Sequence, residues 1–287
     1  MNFRTLVNFL RIRQWYKNLV FFFPLIFSVN AFNFEKLLLA LTGFFMMCFT
    51  SSANYIINDL IDLPTDRRNP LKKHRPLVSG AVSKWQAGTL AFLLLGISFA
   101  ISLFLPNNFI IYPLALFAST TLYSWKLKHI PLLDILTIGF NFFIRTVSGG
   151  YLINVKVTNW LVLIIFLVAL LLALSKRYLS LSLLGKKAIS LRPVFRFYTK
   201  DLLVSFINIV SSMLLLSYCF YSFMSNNSPF LIYSIPLFFI VIFRYLFLVY
   251  SGNKAGLKAE LLFRDRGFAY SLISWFVAVF LIFYLAS

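Results

Sequence analysis

The sequence predicts an all-α integral membrane protein, with nine transmembrane helices bundled around a cavity that opens to the cytoplasm. Three observations predict it. The chain of 287 residues is 60% hydrophobic and only 12% charged, with 35 Phe. Its mean hydropathy of +0.85 lies far outside the range of soluble domains. Apolar stretches close to bilayer-spanning length recur from end to end, and basic residues gather in alternate connections between them.

The elements follow in chain order. Residues 1–17 carry Arg4, Arg11, Arg13 and Lys17 among apolar positions, which predicts an amphipathic helix on the membrane surface and argues against a cleavable signal peptide. The first span, 18–33, is short and contains Pro24. Span 36–58 leads into a polar, basic loop, 59–85. Spans 86–105 and 109–125 are joined by the tight uncharged turn Pro106-Asn107-Asn108. Span 132–153 is interrupted by Arg145, and span 157–178 closes on Lys176-Arg177-Tyr178. After a second basic loop, 176–201, come spans 202–224, 229–250 and 267–286. No linker or second soluble region interrupts the series, so residues 1–287 read as a single domain.

Charge sets the orientation. The N-terminal tail, the loops near 59–85, 126–131, 176–201 and 251–266, and Arg244 together hold 24 of the 27 Lys and Arg. The opposite side takes Lys36 and Lys156. The positive-inside rule therefore makes the N-terminus and these loops of a multi-pass protein cytoplasmic, and puts the C-terminus on the far side. The net charge of +19 is spread around apolar spans rather than over a soluble basic domain, which argues against a nucleic-acid partner and for the bilayer. Cys48 and Cys219 fall in separate spans and read as small apolar residues. His74 and His129 read as headgroup-level polar residues, and Trp15, Trp85, Trp125, Trp160 and Trp275 as interface anchors. The phenylalanines suit either a groove for an isoprenoid chain or contact with lipid, and composition does not separate the two.

Against this basic background, three of the eight acids stand close together: Asp59, Asp62 and Asp66 in the run Asn58-Asp59-Leu60-Ile61-Asp62-Leu63-Pro64-Thr65-Asp66. Positions i, i+3 and i+7 of a helix fall within an arc of about 60°. Carboxylates so placed repel one another unless a cation sits among them, and Mg²⁺ carrying a phosphate ligand is the economical choice. Asp66 reads as one turn further along the helix or, if Pro64 disturbs that turn, as part of the loop. Downstream, Arg67, Arg68, Lys72, Lys73 and Arg75 are placed to hold phosphate oxygens that the metal leaves uncovered. The bland alternative is a solvated loop whose acids offset a topological cluster of bases. Arg145 falls inside a span, where a lone cation costs at least ~2.5–3.5 kcal/mol. It therefore calls for an anion, either an acid or a substrate phosphate. Asp134, 11 residues earlier, is about three turns away, too far along the axis for direct pairing.

The stretch Asn58 to Gly80, ending Arg75-Pro76-Leu77-Val78-Ser79-Gly80, resembles the first aspartate-rich motif of the UbiA-type membrane transferases. Within that superfamily the resemblance is to the branch that transfers phosphoribose to decaprenyl phosphate. It is carried further by Arg11-Ile12-Arg13-Gln14-Trp15-Tyr16-Lys17-Asn18, by Tyr123-Ser124-Trp125-Lys126-Leu127-Lys128 followed by Asp134, and by Arg145-Thr146-Val147-Ser148-Gly149-Gly150. Lys176-Arg177-Tyr178 and Arg264-Asp265-Arg266 extend it along the chain. The resemblance implies a UbiA-type bundle of nine helices enclosing a cavity, with Mg²⁺ on Asp59, Asp62, Asn58 and Asp66 binding the pyrophosphate of the donor. It implies substrate contacts from Lys17, Asn58, Lys72, Lys73, Arg75, Tyr123, Lys126, Asp134 and Arg145, and an acceptor oriented by Lys176, Arg177 and Tyr178.

Members that use prenyl diphosphates carry a second aspartate-rich motif after the sixth span. Residues 176–200 hold seven Lys or Arg and no acid. That difference favours phosphoribosyl diphosphate as donor and a polyprenyl phosphate as acceptor, in the service of a cell-envelope glycan. Ser180 stands where the branch usually has an acid shortly after Lys-Arg-Tyr. Two rival expectations are a prenyltransferase acting on an aromatic or other small acceptor, and a lipid-binding or transport protein without catalysis.

Overall fold

The structure, a computed structural model, describes residues 3–67, 72–106, 108–225, 229–257 and 259–285. Arg68, named above as a phosphate contact, and Asn107 of the 106–108 turn lie outside the described residues. Twelve α-helices are described and no strand is found among these residues: α1 (Phe3–Phe9), α2 (Phe23–Phe27), α3 (Phe34–Asp66), α4 (Lys84–Leu103), α5 (Ile111–Trp125), α6 (Leu133–Leu152), α7 (Asn159–Leu184), α8 (Lys186–Leu191), α9 (Lys200–Phe223), α10 (Ile235–Tyr250), α11 (Ala259–Leu262) and α12 (Arg266–Leu285).

Among the described residues, six segments are long and apolar enough to cross a membrane: α3, α4, α7, α9, Pro229–Tyr250 and α12. They match the expected spans 36–58, 86–105, 157–178, 202–224, 229–250 and 267–286. The other three expected spans are not among them. Residues 18–33 form no single helix, because a 3₁₀ segment over Ile12–Phe22 gives way to the five-residue α2. The α5 helix has 15 residues, about 22 Å, shorter than the hydrocarbon core of a bilayer. The α6 helix has 20 residues but carries Asp134 and Arg145 within it.

The expected surface helix over 1–17 is also broken. The α1 helix stops at Phe9, which is buried, and Arg11 adopts a left-handed backbone with φ 51°. That conformation is unfavourable for a side chain with a Cβ and persists only where surrounding contacts hold it. Here the Leu10 carbonyl accepts from Ser52 Oγ at 2.8 Å and the Arg11 side chain turns in to Asp59. Tertiary contact overrides the amphipathic pattern.

The described contacts group into two compact units. The first comprises residues 1–25, 30–128 and 141–157, the second residues 26–29, 129–140 and 158–287. In the first unit α3 is the central element, packed on α4, α5 and the Ile12–Phe22 segment. One apolar cluster joins Phe21, Leu25, Met46, Met47, Phe109, Leu116, Ile144 and Leu152. Another, nearer the aspartates, joins Phe9, Ala53, Ile56, Leu63, Leu77 and Leu94. A Cβ on Gly149 would collide with the Phe21 carbonyl oxygen, so the absence of a side chain there lets the 3₁₀ segment lie directly on α6.

Helix starts follow local chemistry. Asn33 caps α3 by accepting from Lys36 N, and Ser83 with Gln86 forms a capping box on α4. Thr158 and Thr199 cap α7 and α9. In the second unit α7 packs on α9, and α10 on α12. Tyr218 is its polar knot: its ring stacks on Phe238 at 4.1 Å, and its hydroxyl meets Ser234 Oγ at 2.6 Å and accepts from Trp275 Nε1 at 2.8 Å. Outward faces of α4 and α12 expose Phe92, Leu93, Ile97, Ile273, Val277 and Leu281, an apolar exterior suited to lipid.

Candidate active site

The three aspartates separate as helix geometry requires. Seven residues turn an α-helix by 700°, so Asp66 faces within about 20° of Asp59, whereas Asp62 points about 60° aside. Asp59 and Asp66 are both buried and share one nitrogen: Arg75 Nη1 donates to Asp59 Oδ1 at 3.0 Å and to Asp66 Oδ2. Arg11 pairs with the same Asp59 oxygen and Lys72 with Asp66 Oδ1. Asp62 is half-buried and pairs with Lys128 instead. Asn58 is half-buried.

Asp66 is the last residue of α3, not part of the loop. The helix continues past Pro64 because Arg67 N reaches Leu63 O at 3.1 Å and Thr65 Oγ1 reaches Asp62 O at 2.7 Å. The ion pairs to Arg75 and Lys72 then fix the terminal turn.

Of the basic residues expected at phosphate, Arg75 and Lys72 are at the cluster, while Arg67, Lys73 and Lys126 are exposed. Two residues absent from the expected contact set, Arg11 and Lys128, are also there. Each stands inside a family-like run quoted above, so the signal was present. What hid them was the far larger number of bases that serve topology.

One turn earlier on α3 lies Tyr55. Lys17 Nζ donates to its hydroxyl at 3.4 Å, and the Arg11 guanidinium lies 4.8 Å from its ring centroid. Arg145 is 7% exposed, and its donors go only to neutral acceptors: Nε to Asn18 Oδ1 at 2.6 Å, Nη1 to Asn141 O at 2.7 Å, and Nη2 to Ser51 Oγ at 3.4 Å. Asn18 is itself held by Nδ2 donating to Cys48 Sγ at 3.1 Å. Trp15 Nε1 donates to Ser52 Oγ at 3.0 Å.

Asp134 belongs to the second unit and is completely buried. Its Oδ2 accepts from Arg177 Nε at 3.0 Å and its Oδ1 from the Tyr198 hydroxyl at 2.6 Å, with Arg192 Nη2 at 3.9 Å. Arg177 is equally buried. Both therefore spend their charge on each other. Burial and the bond to Asp134 push the Tyr198 hydroxyl above the ordinary tyrosine value, so it stays protonated and donating. Lys176 is exposed, and Tyr178 sets its ring edge-on to Tyr250 at 5.6 Å. Tyr123 is half-buried. Asp265, in the Arg264-Asp265-Arg266 run, is bound in a fork by Arg244 at 3.0 and 2.8 Å and accepts from Phe268 N at 2.7 Å, capping α12.

A divalent cation fits the aspartate cluster by the chemistry of its donors. Asp59 and Asp66 are hard oxygen ligands that already converge on one positive centre, the Arg75 nitrogen. Among the described residues no three Asp, Glu, His or Cys side chains form a finished cage. Mg²⁺ binds such carboxylate oxygens while keeping waters and taking substrate oxygens into its shell.

Comparison with known proteins gives a family and a fold. A family model described as the UbiA prenyltransferase family matches residues 19–273. Decaprenyl-phosphate phosphoribosyltransferase of Mycolicibacterium smegmatis is 29% identical over 285 residues, covering 94% of this chain and 89% of that protein. The enzyme of the same name from Mycobacterium tuberculosis is 29% identical over 280 residues, covering 95% of this chain and 92% of that protein. Among solved structures, a UbiA homologue from Archaeoglobus fulgidus bound to GPP and Mg²⁺ superposes with a TM-score of 0.72 at 20% identity, covering 96% and 99% of the two chains.

Proposed function

The chain belongs to the UbiA prenyltransferase family and is a membrane transferase, and from that premise we propose that it moves 5-phosphoribose from phosphoribosyl diphosphate to a polyprenyl phosphate of the decaprenyl type, releasing pyrophosphate. The observation that carries the reading is the pairing of Asp59 and Asp66 on Arg75 within a ring of cations, since a metal-bridged diphosphate needs both signs of charge at one place. The choice of ribosyl over prenyl donor is supported by residues 176–200, which have no carboxylate for a second metal, and by the names of full-length relatives.

Asp59, Asp62 and Asp66, with Asn58, would hold Mg²⁺; when bound, it neutralises the diphosphate and makes it a better leaving group. Arg75 and Lys72 hold diphosphate oxygens, joined by Arg11 and Lys128, while the exposed Lys73 and Lys126 draw the anion in. The C1–O bond of the donor breaks, and its electron pair leaves on pyrophosphate. An oxygen of the acceptor phosphate forms the new bond to C1. The acceptor is already anionic, so no general base is required, and the cations stabilise the departing charge. Lys176 and Tyr178 remain candidates for the acceptor headgroup, while Asp134 and Arg177 act by holding the basic segment after α7 through Arg192 and Tyr198. The reading takes residues 1–287 as one transferase domain with nine membrane crossings in a bacterial inner membrane. The N-terminus and the aspartate cluster face the cytoplasm, and the product feeds a cell-envelope glycan.

The test is a transfer assay on purified protein with radiolabelled phosphoribosyl diphosphate and polyprenyl phosphate, with and without Mg²⁺. Label is expected in the lipid fraction only with Mg²⁺. Consumption of a prenyl diphosphate with no labelled lipid would establish the prenyltransferase alternative. An unchanged function in Asp59→Asn without any Mg²⁺ requirement would establish a non-catalytic lipid binder.

A further inference from the structure

We propose that Arg196, Phe197 and Lys200 form a docking surface for the headgroups of anionic phospholipids, on the outward side of the basic segment between α7 and α9. It goes beyond the transfer reading and holds whichever donor the enzyme uses. The second basic loop thereby divides into bases that face the protein and bases that face the bilayer.

Two helices set the depth of the segment. From Asn159, where α7 begins, to Arg177 is 18 residues, about 27 Å, close to the ~30 Å of a hydrocarbon core. Arg177 therefore stands at one edge of the apolar layer, and α7 runs on beyond it to Leu184. The chain then turns back to that level. The Phe195 ring centroid lies 5.9 Å from the Arg177 guanidinium, and the Tyr198 hydroxyl donates to Asp134, the carboxylate that Arg177 also holds. Two residues on, Lys200 opens α9, itself long and apolar enough to span. Residues 195–200 thus lie at headgroup depth, pinned from within.

What the segment presents outward is basic and aromatic. Val194, Phe195 and Tyr198 are buried, whereas Arg196 and Lys200 are exposed and Phe197 is 49% exposed. The Arg196 guanidinium lies 4.7 Å from the Phe197 ring centroid, so a cation and an apolar plate stand side by side. Water is a poor solvent for such a ring. At a bilayer surface the ring enters the acyl boundary while the cations meet phosphate oxygens. Residues 176–200 hold no acid, and Asp134 behind the segment is already paired with Arg177 and Tyr198. Asp201, exposed in the first turn of α9, offsets one charge and leaves the face positive. A soluble phosphate would also meet these bases, but the exposed ring beside them selects a ligand that brings acyl chains as well as phosphate.

The test reads lipid contact directly, with neither substrate present. Phe197→Cys is labelled with bimane, which takes the place of the ring, in a background of Cys219→Ala and of Cys48→Ser, which keeps an acceptor for Asn18. The full-length protein is reconstituted in mixed phosphatidylcholine and phosphatidylglycerol vesicles, with bromine on the upper acyl chain of one lipid or the other. At equal mole fraction, brominated phosphatidylglycerol is expected to quench about fivefold more effectively, the enrichment that one basic residue near a membrane surface gives. Arg196→Gln with Lys200→Gln, or high salt, should remove the difference. Equal quenching by both lipids before those changes, or quenching by neither, overturns the proposal. So does a KM for phosphoribosyl diphosphate or polyprenyl phosphate raised about tenfold in the Arg196→Gln, Lys200→Gln protein, since these bases would then serve a substrate. Absence of any phosphoribosyl transfer leaves the quenching result standing, so failure of the transfer reading is told apart from failure of this one.

Discussion

One guanidinium nitrogen serves two carboxylates in this protein, and that sets what substitution will do at the residue scale. Removing Asp59 or Asp66 frees Arg75 as well as deleting an oxygen ligand. Asp59→Asn and Asp66→Asn are each expected to lower lipid-linked product formation by about 10²–10³-fold, the range seen when a preorganised electrostatic contact is lost; initial rates at saturating Mg²⁺ check it. Lys73→Ala, an exposed base, should change the same rate by less than about threefold, because one surface charge is screened within a Debye length. Asp134 predicts the opposite signature. Its carboxylate is fully enclosed by Arg177 and Tyr198, so Asp134→Asn leaves a buried cation unpaired at about 3–5 kcal/mol. The expected result is a lowered unfolding temperature in detergent, whatever happens to activity. Sequence alone could not sort these acids, because Asp59 and Asp134 both stand in family-like runs and only the partners differ.

At the scale of elements, helices that earn their shape from local pattern were readable, and those shaped by a neighbour were not. The α4 and α7 helices begin where Ser83 and Thr158 cap them and run apolar to their ends. By contrast, α3 outlasts its expected span by eight residues, to Asp66 instead of 58, because ion pairs from Arg75 and Lys72 hold a turn that contains Pro64. The break at Arg11 has the same origin in a partner 48 residues away. The α12 helix carries a pH prediction. Arg244 first, and then the Phe268 N–H, hold the Asp265 carboxyl below its ordinary value. A carboxyl with a lowered folded value contributes stability above the unfolded pKa of about 4, lost as pH falls through the lower folded value. The protection factor for hydrogen exchange over the first turn of α12, taken against the intrinsic rate at each pH, should therefore be high at pH 7 and fall severalfold below about pH 4 in wild type. In Asp265→Asn the protection factor should already be low at pH 7.

For the whole molecule, composition made the membrane class legible and the loop charges made its orientation arguable, since both are sums over many residues. Membrane-impermeant maleimide on single cysteines at Lys73 and Lys156 is expected to label opposite faces of sealed vesicles; labelling from one face would reverse the assigned topology. The candidate site was legible in outline, through the aspartate spacing and Arg145, but not in its assembly. The Nε–H of Arg145 is met by Asn18, 127 residues away, and no periodicity predicts that. Their meeting depends on Gly149, one turn beyond Arg145, lying against the carbonyl of Phe21, three residues beyond Asn18. A single hydrogen atom thus acts as the shim that sets how far the amino-terminal arm stands from the sixth helix. A Cβ there would stand 2.0 Å from the Phe21 oxygen, so Gly149→Ala should force the two segments well apart, at a cost of at least about 1–3 kcal/mol in unfolding stability. It would loosen the seat of Arg145 without touching any charged group, as a bearing fails from clearance and not from fracture.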